Sequence, residues 1–323
     1  MGSDAFAVEL TRTTQLYRAG VTSRRLARLI DGGAFVRVRR GILVSGADWR
    51  GMRFEARTIV LARAWALAAG DPPVFSHTTA AAVQGLPLVR TGSPAVHTIV
   101  PDPRKGATPG VVRHRDGGVD RALRTVSGLI VTDLAATVAD IARTSLPETA
   151  IAAADAALRG VSRDPAHPEV VRLRERALAH AAEFARGGIR ARRVIEFADP
   201  RAHLPGESVS RLYLVRLGFA VPDLQVAVRG PGGTTYYVDF GLDDVEAFGE
   251  FDGESKYTDP TLLNGRTTAQ ALTDEKWRED WIRGSTHRRL ARWGTTHIPN
   301  AQALGERLAR FSIRPPVRRG GLV

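Results

Sequence analysis

A group of acidic residues in an otherwise basic chain is the first part of this sequence that indicates metal or phosphate chemistry. No lysine or arginine occurs between Arg229 and Lys256, yet this segment contains seven carboxylates: Asp239, Asp243, Asp244, Glu246, Glu250, Asp252 and Glu254. Carboxylates without a neighbouring cation repel one another unless water, a distant arginine or a metal ion compensates them. Because the whole chain has a net charge of +12, a hard-cation site is the first hypothesis for this segment.

Two predicted strands would position three of these carboxylates. Residues 234–240 are β-branched and aromatic, residues 245–252 form a second strand-like segment, and Gly-Leu-Asp-Asp lies between them as a turn. Side chains alternate between the faces of a strand, so Glu250 and Asp252 project from one side, where Asp239 can meet them across a hairpin. Three convergent oxygens suit Mg²⁺ or Mn²⁺. The other four carboxylates are expected to form a solvated surface.

Four short motifs follow one another between residues 204 and 313. They are Leu-Pro-Gly-Glu207-Ser at the start of a helix, Val-Asp239-Phe at the end of a strand, Glu250-Phe-Asp252-Gly, and Glu275-Lys276-Trp-Arg278-Glu-Asp280 on a later helix. In these motifs the segment resembles the PD-(D/E)XK nuclease superfamily, in the branch similar to very-short-patch-repair endonucleases. The resemblance implies a restriction-endonuclease-like mixed sheet flanked by helices, with Mg²⁺- or Mn²⁺-dependent DNA cleavage. It assigns metal binding to Asp239, Glu250, Asp252 and Glu207, and catalysis to Asp239, Glu250, Lys276 and Arg278.

The chain departs from the superfamily motif at one position. The motif has a lysine two residues after its second acidic residue, where this chain has Asp252. Phosphoryl transfer requires positive charge where negative charge develops, so another cation must take that role. Lys276 and Lys256 are the candidates. If neither reaches the carboxylates, the domain binds metal or DNA without cutting.

The N-terminal residues are predicted to bind DNA. A helix around residues 11–18 ends at Ala19-Gly20, Thr22 or Ser23 caps a second helix over residues 24–30, and residues 35–44 alternate as a hairpin. This order predicts a winged helix-turn-helix, whose second helix enters a major groove while the wing lies on phosphates. The predicted DNA-binding residues are Arg24, Arg25, Arg28, Arg37, Arg39 and Arg40. The alternative is that these arginines only keep the helices soluble.

The same N-terminal stretch resembles the AbiEi-family antitoxins, the DNA-binding partners of type IV toxin–antitoxin systems. Residues 50–160 continue this resemblance through Phe75-Ser-His77-Thr-Thr-Ala, Val96-His97-Thr-Ile-Val-Pro, Val111-Val-Arg-His114 and Val131-Thr-Asp133-Leu-Ala-Ala. They are predicted to form an α/β domain of short strands and Ala-rich helices. Asp133 is expected to be a charge at a helix N-terminus. The three histidines share no i, i+4 ligand spacing, so structural histidines are expected here rather than a metal site.

The whole sequence predicts an α/β multidomain protein. The predicted divisions are a winged helix-turn-helix over residues 1–46, an AbiEi-like α/β domain over 50–160, linker helices over 161–203, a PD-(D/E)XK-like domain over 204–313 and a tail over 314–323. The chain contains no cysteine, which excludes disulfides and thiolate zinc sites. No signal pattern precedes the first helix and the apolar runs are too short to span a bilayer, so a cytoplasmic protein is expected.

Two functions remain open from the sequence. One is a DNA-binding protein with a metal-dependent endonuclease domain. The other is a non-enzymatic, antitoxin-type transcriptional regulator whose C-terminal domain keeps a nuclease fold without cutting. Both predict DNA as a partner, which the sequence pI near 11 favours. A cognate toxin and a second copy of the chain are further candidate partners.

Overall fold

The computed structural model describes residues 3–101, 108–115, 121–253 and 268–316. Within these residues the chain forms helices and three β-sheets, so the predicted α/β character is confirmed. The chain divides into two compact units. The first unit is made of Met1–Val161 and Ala166–Ala198, and the second of Ser162–Pro165 and Asp199–Val323.

The first unit begins with short helices and a three-stranded antiparallel sheet in the order β1-β3-β2. The elements are α1 (Ser3–Ala7), β1 (Thr11–Arg12), α2 (Thr13–Arg18), α3 (Ser23–Asp31), β2 (Phe35–Arg39), β3 (Ile42–Ser45) and α4 (Gly46–Gly51). The Thr22 hydroxyl caps α3 by accepting the Arg25 N–H at 3.2 Å, as the sequence predicted. Gly41 has φ +78° between β2 and β3, a conformation that glycine adopts without steric cost.

The rest of the first unit packs Ala-rich helices with a five-stranded mixed sheet in the order β6-β5-β4-β8-β7. The elements are α5 (Phe54–Ala68), β4 (Val74–Phe75), α6 (His77–Val83), β5 (Val96–Val100), β6 (Val111–Arg115), β7 (Leu123–Val126), β8 (Leu129–Thr132), α7 (Leu134–Thr144), α8 (Pro147–Arg159), α9 (Pro168–Ala182) and α10 (Gly188–Phe197). Strand β5 runs parallel to β6 and antiparallel to β4. Asp133 caps α7 by accepting the Ala136 N–H at 2.9 Å, which confirms its predicted place at a helix N-terminus.

The second unit is built on a four-stranded sheet in the order β12-β11-β10-β9. Its elements are α11 (Pro205–Leu217), β9 (Asp223–Arg229), β10 (Thr235–Leu242), β11 (Ala247–Asp252), α12 (Thr268–Thr286), β12 (Arg289–Gly294) and α13 (Ala301–Ala309). The predicted hairpin is present, because β10 and β11 are antiparallel neighbours, whereas β11 and β12 are parallel. A β-carbon on Gly206 of α11 would lie 2.0 Å from the Phe251 ring, so α11 meets β11 where no larger residue fits.

The tryptophans of α12 are less buried than their spacing predicts. Their i, i+4 spacing predicts that Trp277 and Trp281 pack on the sheet, but they are 68% and 43% exposed. Ile282 is instead fully buried in the core against Phe248 and Leu290. Arg278, one turn before Ile282, lies on the same side of the helix. Trp277 lies on a different stripe, whereas Trp281 donates its indole N–H to the Arg229 carbonyl at the end of β9, at 2.9 Å.

Candidate functional site

Glu250, the acidic residue at the centre of the predicted catalytic motif, lies between two arginines. Its Oε1 is 2.7 Å from Nη2 of Arg278 on α12, and its Oε2 is 2.8 Å from Nε of Arg292 on β12. Glu250 and Arg292 are directly opposite each other in the parallel β11–β12 pair, so the strand register itself brings them together. Glu250 is only 8% exposed. The two arginines therefore compensate a buried carboxylate charge that would otherwise be costly.

Two further carboxylates of α12 extend this ion-pair network. Glu275 contacts both arginines, at 3.1 Å from Nη1 of Arg278 and at hydrogen-bond distance from Nη2 of Arg292. Glu279 lies 3.5 Å from Nε of Arg292. Burial by itself would lower the pKa of Arg278 and of Arg292, but the attraction of Glu250 and Glu275 outweighs it and raises both pKa values above the usual value for arginine. Both guanidinium groups are therefore charged throughout the neutral pH range.

Asp239 lies beside this network on the neighbouring strand. The β10–β11 register pairs Phe240 with Gly249, and one further step along the antiparallel strands brings Asp239 opposite Glu250. Asp239 Oδ2 accepts the Phe251 N–H at 2.8 Å, and its Oδ1 accepts a hydrogen bond from Gln225 Nε2 at 3.2 Å. Both carboxylate oxygens are thus used within the sheet, where they fix the end of the hairpin.

The other predicted metal ligands have separate positions. Glu207 lies in the first turn of α11, is 3% exposed and accepts the His203 N–H at 2.8 Å. Asp252 ends β11 and is half-buried. In the described part of the chain, no three of the four predicted carboxylate ligands have oxygen atoms within 4.8 Å of one another. Two arginines that are distant from Glu250 in the sequence compensate its charge in this structure.

Lys276 and Arg278 differ in their relation to the carboxylates. Arg278 is the residue of α12 that contacts Glu250, and its Nη2 also donates to the Tyr237 carbonyl at 2.6 Å. Lys276 is exposed on the same helix. The predicted alternative cation, Lys256, lies outside the described residues.

The arginines predicted to bind DNA are mostly presented to solvent. Arg24, Arg25 and Arg28 are exposed on α3, and within the described residues their side chains have no ion pair or hydrogen bond. On the β2–β3 hairpin, Arg37 and Arg40 are also exposed. Arg39 differs, because its guanidinium stacks 3.7 Å over the Trp65 ring. Burial, and then the charge of Arg113, lower the pKa of Arg39.

The structure brings together three histidines that the sequence analysis treated as separate. His77, His97 and His114 each offer a ring nitrogen, and these three atoms lie within 4.8 Å of one another. The residues come from the start of α6, from β5 and from β6. Only strand pairing unites them, so a search for i, i+4 spacing could not find the group. The signal available in the sequence was one histidine in each of two neighbouring strand segments.

Comparisons with known proteins identify relatives over most of the chain. No protein-family model matches it. Two Mycobacterium tuberculosis proteins, the uncharacterized protein Rv2248 of strain ATCC 25618 / H37Rv and the uncharacterized protein MT2308 of strain CDC 1551 / Oshkosh, are each 31% identical to it over 260 residues. The match covers 80% of this chain and 88% of each relative. Among the described residues, no helix is long and apolar enough to cross a membrane.

Proposed function

This chain belongs to the family of the M. tuberculosis proteins Rv2248 and MT2308, and we propose that it is a DNA-binding protein that holds the duplex through α3 and the β2–β3 hairpin. The observation that carries the proposal is the group of arginines that these two neighbouring elements expose to solvent: Arg24, Arg25, Arg28, Arg37 and Arg40. Exposed guanidinium groups without a carboxylate partner repel one another, and a phosphate backbone removes that repulsion.

The order of the elements supports the same proposal. Helices α2 and α3 are joined by a four-residue turn, Ala19–Thr22, in which Gly20 has φ +83°. They are followed by a hairpin whose strands form a sheet in the order β1-β3-β2. This arrangement fits a winged helix-turn-helix, in which the second helix lies in the major groove and the hairpin rests on the phosphates. Arg39, which stacks on Trp65, then holds the hairpin against α5 and leaves phosphate contact to Arg37 and Arg40.

The experiment that tests DNA binding is a titration of the full chain into a fluorescent duplex at several salt concentrations. Binding that depends on phosphates becomes weaker as salt increases, because each contact releases condensed counterions. The wild-type chain is expected to bind and to lose affinity steeply with salt. A chain that does not bind duplex DNA at low salt would contradict the proposal.

Metal-dependent DNA cleavage by the second unit is a second candidate function. It is favoured by the position of Asp239 opposite Glu250 on neighbouring strands and by the contact of Arg278 with Glu250. In this candidate, Asp239 and Glu250 hold Mg²⁺ or Mn²⁺, with Asp252 and Glu207 completing the site through water. The ion would replace an arginine at Glu250, and the released guanidinium would then face the scissile phosphate together with Lys276.

The cleavage assay compares this candidate with an antitoxin-type regulator that binds DNA without cutting it. Asp239→Asn is expected to abolish Mg²⁺- or Mn²⁺-dependent cleavage. Lys276→Ala is expected to slow single-turnover cleavage by about 100- to 1000-fold with DNA affinity retained, the typical cost of removing a transition-state donor. If the wild type does not cut single-stranded, duplex or mismatched DNA, the endonuclease candidate is refuted. The candidate that then remains is the antitoxin-type regulator, with a toxin as its partner.

A further inference from the structure

The histidine cluster of the first unit is independent of both proposed DNA functions. In the parallel β5–β6 pair, His114 is opposite Ile99, two residues from His97 along β5. Residues two apart share a face of a strand, so His97 and His114 point to the same side of the sheet, where His97 Nδ1 and His114 Nε2 are 2.9 Å apart. The His77 ring stacks on His114, with 3.5 Å between the ring centroids.

One ring nitrogen of His77 is buried without a hydrogen-bond partner among the described residues. Its Nδ1 is 2.9 Å from the Ser76 hydroxyl and 3.5 Å from Asp140 Oδ2. Its Nε2 is buried and has no hydrogen-bond partner among the described residues, and the residue is 1% exposed. A buried polar atom without a partner typically costs about 1–3 kcal/mol. His77 also has φ +50°, a strained value for a residue other than glycine.

The Ser76 hydroxyl and, at a longer distance, Asp140 give His77 Nδ1 the kind of partners that metal-binding histidines commonly have. A histidine ligand usually donates its other ring N–H to a carboxylate or hydroxyl, which fixes the tautomer and aims the free lone pair at the ion. Asp140 is 1% exposed and is held from other directions by Arg121 at 2.8 Å and by Arg143 at 3.4 Å. A proton on Nδ1 of His77 leaves the lone pair on the unpartnered Nε2.

The pKa values of the three imidazoles all lie below the usual value for histidine. Burial is the main cause. It lowers the pKa of His97 to about 4 and that of His114 to about 3, and it holds the pKa of His77 well below its usual value. The charges of Arg121 and Arg143 act in the same direction on His77.

We propose that His77, His97 and His114 together bind one divalent transition-metal ion, with Zn²⁺ as the ion that their chemistry fits best. Imidazole nitrogens suit Zn²⁺ and its first-row neighbours, whereas Mg²⁺ and Ca²⁺ require oxygen ligands. Nitrogens bound to a tetrahedral Zn²⁺ at about 2.0–2.1 Å are about 3.4 Å apart. The three nitrogens lie within 4.8 Å of one another, and the rings, which are stacked with interplanar angles of 12–26°, turn when their lone pairs converge on the ion.

Three histidines leave a fourth position of a tetrahedral ion open to water or to a ligand, the composition of a reactive rather than a closed structural zinc site. His97 also lines a cleft of about 220 Å³ together with Thr78, Arg90 and Thr149. This cleft reaches the cluster at His97. Asp140, whose charge is shared with Arg121 and Arg143, orients His77.

The test is metal binding by the full chain after chelator treatment, with Zn²⁺ titrated against a chromophoric competitor and Co²⁺ used as a spectroscopic probe. The wild type is expected to bind one Zn²⁺ per chain, and to give the intense visible absorption of tetrahedral Co²⁺ with nitrogen ligands. Asp140→Asn should weaken Zn²⁺ binding by about 10- to 100-fold, as expected for the loss of a carboxylate that orients a ligand. His97→Gln and His114→Gln should weaken it at least as much.

One variant serves as a control for these measurements. His287→Gln removes an exposed imidazole of the second unit. It should bind Zn²⁺ as the wild type does. Equal Zn²⁺ affinity in the wild type, His97→Gln and His114→Gln would overturn the proposal. If the cluster variants do not fold, the measurements on the wild type test the proposal by themselves. Failure of the wild type to bind Zn²⁺, or a weak octahedral Co²⁺ spectrum, would overturn the proposal.

Discussion

Replacing three arginines of α3 by alanine provides a quantitative test of the DNA interface. Arg24, Arg25 and Arg28 are exposed, and within the described residues they have no side-chain hydrogen bonds or ion pairs. Their removal therefore breaks no internal contact there, and surface changes of this kind alter stability by only about 0.5 kcal/mol or less each. Any large effect on DNA binding then reports contact with DNA rather than damage to the fold.

The expected magnitude follows from counterion release. Each phosphate contact contributes about −0.9 to the slope of log affinity against log salt, so three lost contacts reduce the slope by about 2.7. Between about 50 and 200 mM salt, that difference corresponds to about a 40-fold change in affinity. The wild type should therefore lose about 40-fold more affinity over this range than the triple variant does.

Fluorescence anisotropy with one labelled duplex measures both slopes. The matched control replaces Arg124, Arg163 and Arg193 by alanine, because these three residues are also exposed and their loss gives the chain the same net charge. The control should keep the wild-type slope. Equal slopes for the wild type and the α3 variant would refute the assignment of phosphate contacts to α3, and so would an equal decrease in the control.

Three further predictions concern the stability of the second unit and are measured by urea unfolding. Glu250→Gln removes the buried carboxylate that Arg278 and Arg292 both contact but leaves them Glu275 and Glu279, so it should lower the free energy of unfolding by about 1–3 kcal/mol; a loss below about 0.5 kcal/mol would contradict the ion-pair network. Gly206→Ala places a β-carbon 2.0 Å from the Phe251 ring and should cost about 1–3 kcal/mol, whereas an unchanged midpoint would show that α11 does not press on β11. Burial would raise the pKa of Asp199, but the hydrogen bonds and charge of Arg201 outweigh it and lower that pKa. The stability from this pair is thus complete above about pH 4 and is lost as the pH falls further, so Asp199→Asn should remove that part of the acid dependence.

Local sequence signals correctly predicted several helix and strand boundaries. Thr22 and Asp133 each cap the helix that follows them, because a cap needs only one short polar side chain next to the first turn. The β10–β11 hairpin was predicted from its strand pattern and turn. In these cases the residues that decide the structure are neighbours in the chain.

The features that could not be predicted from the sequence depend on the pairing of strands that are far apart in the chain. The parallel partner of β11 is β12, and this pairing brings Arg292 to Glu250 across a separation of 42 residues in the chain. A compensating arginine that far away leaves no local pattern. The histidine cluster was missed for the same reason, since β5 and β6 must pair before His97 and His114 meet. The spacing of Trp277 and Trp281 did not reveal that Ile282 and Arg278 occupy the side of α12 that faces the sheet.

Photo-crosslinking of the full wild-type chain to a duplex containing 5-iodouracil, followed by peptide mapping, tests the central claim most directly. The proposed interface predicts crosslinked peptides within residues 22–41, the segment that contains α3 and the turn of the β2–β3 hairpin. Unlabelled duplex should compete for these crosslinks, and high salt should remove them. Crosslinks confined to other parts of the chain, with none between residues 22 and 41, would contradict the claim.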